Sequence, residues 1–154
     1  MRLTLLLDNI RSLHNVGSIF RTADAVEVEE IILCGLTPTP PRHEIDKTAL
    51  GATSTVKWRY IPNIRQALTE LTNNGYTCVA LEQTSESVSL FDYHFLGPTA
   101  LVLGHERMGV SQAALENCQA VEIHMHGKSA HSLNVSVAAG IALYHIRENL
   151  AYTD

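Results

Sequence analysis

Apolar and polar positions follow one another along this chain in blocks, and the blocks switch between two periods. Residues 3–7 are a continuous apolar run, the pattern of a strand covered on both faces. Residues 8–15 are polar and read as a loop. Val16, Ile19, Phe20, Ala23 and Val26 then recur at helical spacing, with Arg21 off the apolar stripe. Residues 31–34 are a second strand closed by Gly35. Pro38, Pro40 and Pro41 exclude helix and central strand from the stretch that follows. Residues 44–50 read as a short helix ended by Gly51, and residues 55–60 as a third strand.

Apolar residues at 64, 67, 68 and 71 predict a helix that Asn73, Asn74 and Gly75 terminate. Residues 76–81 read as a fourth strand, 82–96 as polar and irregular, and 100–103 as a fifth strand broken by Gly104. Ser111 can cap a short helix through Leu115. Residues 121–125 read as a sixth strand and 126–131 as a loop. The helix predicted over 134–147 is apolar almost all round, so none of its sides is expected to face water. Ser132, Asn134 and Ser136 stand at its start, where buried polar groups need partners. The last few residues read as a frayed tail.

Strands alternate with helices throughout, which predicts an α/β protein around a mainly parallel, six-stranded sheet. With 154 residues and no linker or repeat, one domain over 1–154 is expected. No apolar run reaches the roughly 20 residues of a membrane span. Asp8 cuts the opening apolar run short and no small-residue cleavage site follows, so a cytoplasmic protein is expected. Cys34, Cys78 and Cys118 fit no metal spacing and no disulfide framework, and read as reduced core thiols.

The net charge of −5 argues against nucleic acid, but its distribution qualifies that. Residues 1–77 hold eight Lys/Arg and eight Asp/Glu, whereas 78–154 hold three and eight. A basic face in the first half can bind phosphate despite an acidic total, and a scattered solvated surface fits equally well. His124, His126 and His131 crowd together without a carboxylate among them. They are read as surface or RNA-contacting residues, and no metal is expected.

Ligands of open parallel sheets collect beyond the carboxyl ends of strands. Three polar segments lie there: residues 9–21, 104–111 and 126–134. None carries a dinucleotide fingerprint, a P-loop or a nucleophile elbow. Singly, Asn15 and Arg21 could be a cap and a surface charge, Glu106 a solvated acid, and Ser132 and Asn134 helix caps. Their common place beyond strand ends favours a site without naming its chemistry.

Together the three segments resemble the SpoU/TrmH family of RNA ribose 2′-O-methyltransferases, within the SPOUT superfamily. The first motif is carried by Asn15, Gly17 and Arg21, the second by Gly104, Glu106, Gly109 and Ser111, and the third by the run Ser-Leu-Asn-Val-Ser-Val-Ala-Ala-Gly at 132–140. The likeness covers about residues 5–147. It implies a C-terminal deep trefoil knot, a homodimer with each active site at the subunit interface, and S-adenosylmethionine as cofactor. The cofactor-contacting residues it implies are Leu81, Glu82, Leu103, Gly104, Ile123, Met125, Ser132 and Leu133, largely through backbone groups.

The resemblance further implies that Arg21 holds the ribose hydroxyl and the adjacent phosphate, with Asn15 and Glu106 orienting Arg21 and the ribose, and Ser132 and Asn134 lining the junction of cofactor and substrate. An arginine is a poor general base on its own, so stabilising developing charge is its surer role. The N-terminal RNA-binding domain and long C-terminal extension of some relatives are absent from the pattern, so RNA recognition is expected from the catalytic domain or from a partner, with Arg11, Arg42, Lys47 and Arg107 as the candidate contacts and Lys57 and Arg59 as further basic positions. Residues 80–84 also look similar to eukaryotic tRNA guanosine-ribose methyltransferases, which favours tRNA over rRNA as the partner. The alternative is a non-catalytic RNA-binding dimer that retains the fold.

Overall fold

The structure, a computed structural model, describes residues 2–151, so the expected tail at 152–154 lies outside the described residues. In chain order the elements are β1 (Leu3–Asp8), α1 (Leu13–Ala25), β2 (Glu30–Cys34), α2 (His43–Ala49), α3 (Ala52–Thr55), β3 (Trp58–Ile61) and α4 (Ile64–Asn73). They continue as β4 (Thr77–Leu81), β5 (Val88–Ser89), β6 (Thr99–Gly104), α5 (Gln112–Leu115), β7 (Gln119–Glu122) and α6 (Val135–Ala151). All strand pairs are parallel, in the order β3-β2-β1-β6-β4-β7-β5.

The sheet has seven strands rather than the expected six. The extra one, β5, lies in the stretch read as irregular: two residues are too short to show a period, and their pairing with β7 is a tertiary fact. Three boundaries also move. Residues 52–55 are helical, so the third strand starts at Trp58. The loop expected over 8–15 ends early, because Ser12 caps α1 by accepting from the Asn15 N–H at 3.2 Å. The strand expected over 121–125 runs from Gln119 to Glu122, which leaves Ile123 and Met125 on the connection beyond it.

Every position of β1 is buried, as its unbroken apolar run requires. Leu3, Leu5 and Leu7 pack in one layer with α1, α2 and α6, while Leu6 points to the opposite layer with Ile64, Ala67, Leu68 and Leu71 of α4. Each fully buried leucine contributes roughly 1.5–3 kcal/mol relative to exposure. Helix α1 presses closely on α2 at Gly17, where an added Cβ would run into the Thr48 hydroxyl and the Ile45 carbonyl. At its other end Arg147 of α6 donates to the carbonyls of Val26 (2.7 Å) and Glu27, taking up acceptors that a helix terminus leaves without partners.

Helix α6 departs from expectation. Ala139, Ala142, Leu143 and Ile146 are fully buried, but Val137 and Tyr144 are 52% and 50% exposed. Its all-round apolar composition therefore outruns what a single chain covers. No helix of the described residues is long and apolar enough to cross a membrane.

Candidate functional site

The carboxyl ends of β1, β4, β6 and β7 lie together, and each delivers an acidic side chain or a glycine there: Asp8, Glu82, Gly104 and Glu122. Gly104 turns the chain into a tight hairpin. His105 and Gly109 exchange backbone hydrogen bonds at 3.0 and 2.9 Å, and the His105 Nδ1 accepts from the Arg107 and Met108 N–H groups, each at 3.0 Å. A Cβ on Gly104 would collide with the backbone of Gly109 and Val110, so the hairpin folds back only over a glycine.

Three carboxylates hold this hairpin. The Val110 N–H donates to Glu82 Oε2 and the Ser111 N–H to Asp8 Oδ2, both at 2.9 Å. Glu106 reaches to the start of α1, where its Oε1 accepts from the Ser12 N–H at 2.9 Å and from the Asn15 Nδ2 at 3.4 Å, and its Oε2 accepts from the Arg11 N–H at 3.2 Å. A carboxylate at a helix amino terminus is electrostatically favoured. Burial raises the Glu106 pKa, but the N–H donors of Ser12 and Arg11 and the Asn15 amide outweigh it and hold the carboxyl below its ordinary range.

Asn15 also accepts at Oδ1 from the Asn134 amide at 3.3 Å, and Asn134 in turn accepts from the Ser136 N–H at 2.9 Å to open α6. A carboxamide carries both a donor for Glu106 and an acceptor for Asn134. Asn15 thus ties together the three segments singled out in the sequence. Asp8, Ser12 and the Arg11 backbone were missed there; an acid directly after a buried strand was the available signal for Asp8.

Beside this network is a cavity of about 240 Å³. Its walls include all eight residues named above as cofactor-contacting: Leu81, Glu82, Leu103, Gly104, Ile123, Met125, Ser132 and Leu133. Glu106 and Arg107 also line it, with Arg107 exposed at the rim. The apolar walls suit a flat ring. Glu82, Glu106 and Glu122 against Arg107 give an acidic surround that suits a cationic ligand. S-adenosylmethionine, with an adenine and a sulfonium, fits both. Ser132 and Leu133 stand exposed, so the cavity is open to solvent on their side.

Arg21 is not in this cavity. It is exposed and lines a separate hollow with Ser18, Lys47, Thr48, Leu50 and Tyr144. Neither Asn15 nor Glu106 contacts it through a hydrogen bond, contrary to the expectation that they orient it: Asn15 lies 120° around α1 from Arg21 at ~100° per residue. Of the other basic positions, Arg11 is exposed by the Glu106 contact, and Arg42 pairs with Glu44 at 3.8 Å. Lys57 and Arg59 do not join them. Arg59 is held by Glu30 at 3.0 Å and Glu70 at 2.8 Å, and Lys57 faces Glu30 at 3.8 Å.

Comparison with known proteins decides the family. The model described as the SpoU rRNA Methylase family matches residues 2–144. This chain belongs to that family. It is similar to the 23S rRNA (guanosine-2′-O-)-methyltransferase RlmB of Ralstonia nicotianae, at 35% identity over 92% of this chain and 57% of the relative. It is equally similar, at 35% identity, to the tRNA (guanosine(18)-2′-O)-methyltransferase of Thermus thermophilus, over 92% of this chain and 72% of that one. Among solved structures it superposes on the SpoU methyltransferase AviRb of Streptomyces viridochromogenes in complex with AdoMet. That match has a TM-score of 0.85 at 28% identity and covers 96% of this chain and 57% of that one. The chain thus spans between 57% and 72% of the length of these SpoU relatives.

Proposed function

We propose that this SpoU-family protein transfers a methyl group from S-adenosylmethionine to a ribose 2′-OH of RNA, with tRNA as the substrate in preference to rRNA and a guanosine as the target. The observation that carries the reading is the cavity beyond β4, β6 and β7, lined by all eight residues expected to contact the cofactor and bordered by the Asn15–Glu106–Asn134 network. The AdoMet complex of AviRb and the 2′-O specificity named for both relatives support it. The preference for tRNA rests on the likeness of residues 80–84 to tRNA enzymes.

The bound cofactor supplies an electrophilic methyl group, so no metal is required. The chain's own residues supply binding and position. Leu81, Leu103, Ile123 and Leu133 would offer apolar wall to the adenine, and the carboxylates of Glu82 and Glu122 on the same cavity would favour the positive charge. Ser132 and Asn134 stand where substrate meets cofactor. Arg21 has no hydrogen-bond or ion-pair partner among the described residues, which leaves its guanidinium available for a phosphate and for charge developing on the 2′-oxygen.

Since Arg21 lies outside its own chain's cavity, the site is completed in a homodimer, where Arg21 of one subunit faces the cavity of the other. The exposed Val137 and Tyr144 of α6 supply an apolar face for that contact. The trefoil knot implied by the resemblance belongs to the same reading, as does one catalytic domain over 1–154 in the cytoplasm, with Arg11, Arg42, Lys47 and Arg107 contacting RNA.

The test is methyl transfer from labelled S-adenosylmethionine to unmodified tRNA and rRNA transcripts. Label in alkali-resistant dinucleotides from tRNA is expected. Label on bases alone refutes the ribose assignment, and none on any RNA points to a non-catalytic RNA-binding protein. Arg21→Ala is expected to keep cofactor affinity and lose turnover by at least 100-fold, on the order of 3 kcal/mol in the transition state. Full turnover in that variant removes Arg21 from the mechanism.

A further inference from the structure

Cys78 is the second residue of β4, and Cys118 immediately precedes β7. These strands are parallel neighbours, with Val79 opposite Gln119, Ala80 opposite Ala120 and Leu81 opposite Val121. Continuing that register one step back sets Cys78 beside Cys118. Neighbouring strands lie ~4.8 Å apart, within the roughly 4.4–6.8 Å between Cα atoms that a disulfide accepts.

Both side chains leave the sheet on the same side. Cys78 is buried in the layer with Ala80, Val102 and Leu71, and Cys118 packs against that layer while keeping partial exposure. The register and the shared layer set the two thiols side by side on one face of the sheet. The Thr72 hydroxyl is 3.7 Å from the Cys78 sulfur. Cys34 shares the layer without a thiol partner.

We infer that Cys78 and Cys118 form a redox-active dithiol, which exchange with a low-molecular-weight disulfide of the glutathione type closes into a cross-strand disulfide. The electrostatics favour the first step. The Cys118 thiol pulls the Cys78 pKa down, burial opposes this, and the Thr72 hydroxyl adds to the lowering. Cys118 is pushed up in turn, by Cys78 first, then by burial and by the charge of Asp8. The pair therefore gives up one proton readily and shares the other.

The thiolate of the pair attacks one sulfur of the small disulfide. That S–S bond breaks, one glutathione leaves as thiolate, and a mixed disulfide forms on the protein. The second protein thiol then releases its proton to water and attacks the protein-side sulfur, expelling the other glutathione. The protein loses two protons and two electrons, and the small disulfide takes up both to become two thiols. Cys118, partly exposed in the turn between α5 and β7, is the side from which the pair is reached. The bond would join β4 to β7 three residues before Leu81 and four before Glu122, both of which line the cavity.

The test uses the full-length native protein, equilibrated over a series of oxidised-to-reduced glutathione ratios, acid-quenched, unfolded, alkylated, digested and read by mass spectrometry. The expected result is a peptide pair linked through Cys78 and Cys118. It should appear in a single transition with loss of two hydrogens, reverse with dithiothreitol, and leave Cys34 alkylated throughout. In Cys78→Ser the mixed disulfide should persist on Cys118, the accessible thiol of the pair. Full alkylation of both cysteines at the most oxidising ratio overturns the inference. So does a link through Cys34, or a link that forms only when urea is present during oxidation.

Discussion

Glu106→Gln isolates the charge that joins the second motif to the first. The substitution keeps the shape but turns one oxygen into an N–H donor. Three donors face the carboxylate: the Ser12 N–H at 2.9 Å, the Arg11 N–H at 3.2 Å and the Asn15 amide at 3.4 Å. Only the first is short. Replacing one charged hydrogen bond (~1.5–3 kcal/mol) by a neutral one (~0.5–1.5 kcal/mol) costs about 1 kcal/mol. Losing a negative charge at the amino end of α1 adds about 0.3–1 kcal/mol. The contact to Arg11 is exposed, so water replaces that acceptor at little cost. The expected loss is thus about 1–2 kcal/mol at pH 7, where one carries the ratio of folded to unfolded protein down roughly fivefold.

The pH dependence identifies the cause. The folded-state pKa of Glu106 is lowered from its ordinary value of 4.5, so its contribution is fully present above that value. It is lost as pH falls through the lowered pKa, because the wild-type carboxyl then takes up a proton and resembles the glutamine. Urea unfolding of both proteins at pH 7, 5, 4 and 3 should therefore show a gap that is constant down to pH 5 and closes below pH 4. A gap of the same size at pH 3 would refute the charge argument and leave only a change of shape.

Two further substitutions probe the packing that sets the site. Gly17→Ala should destabilise by about 1–3 kcal/mol, since the collision with Thr48 and Ile45 exceeds the ~1 kcal/mol that alanine gains in a helix. Thermal unfolding would show a raised midpoint if α2 yields instead. Arg147→Ala removes both donors from the Val26 and Glu27 carbonyls, and a loss of about 1–2 kcal/mol in urea unfolding is expected. Hydrogen exchange should quicken first at the carboxyl end of α1; unchanged protection there would show that the cap is not held from α6.

Much of this architecture follows from local pattern alone. The apolar run of β1 demands burial on both faces, the spacing 64, 67, 68 and 71 demands one buried side of α4, and Ser111 opens α5 as a side-chain cap does. The three motifs locate the loops that meet, since ligand sites of parallel sheets form beyond strand ends whichever way the strands are ordered. Two kinds of fact were beyond that pattern. Strand order puts β6 between β1 and β4 and adds β5 at the edge, and pairing of distant strands leaves no local period. The direction of a side chain is equally non-local. Asn15 and Arg21 are six residues apart on one helix, yet the turn of that helix sends one to Glu106 and Asn134 and the other to a separate hollow. Sequence determined which residues are chemically special, because residue type and period are local properties. Tertiary structure decided which of them meet, because contact depends on how elements far apart in the chain are laid side by side.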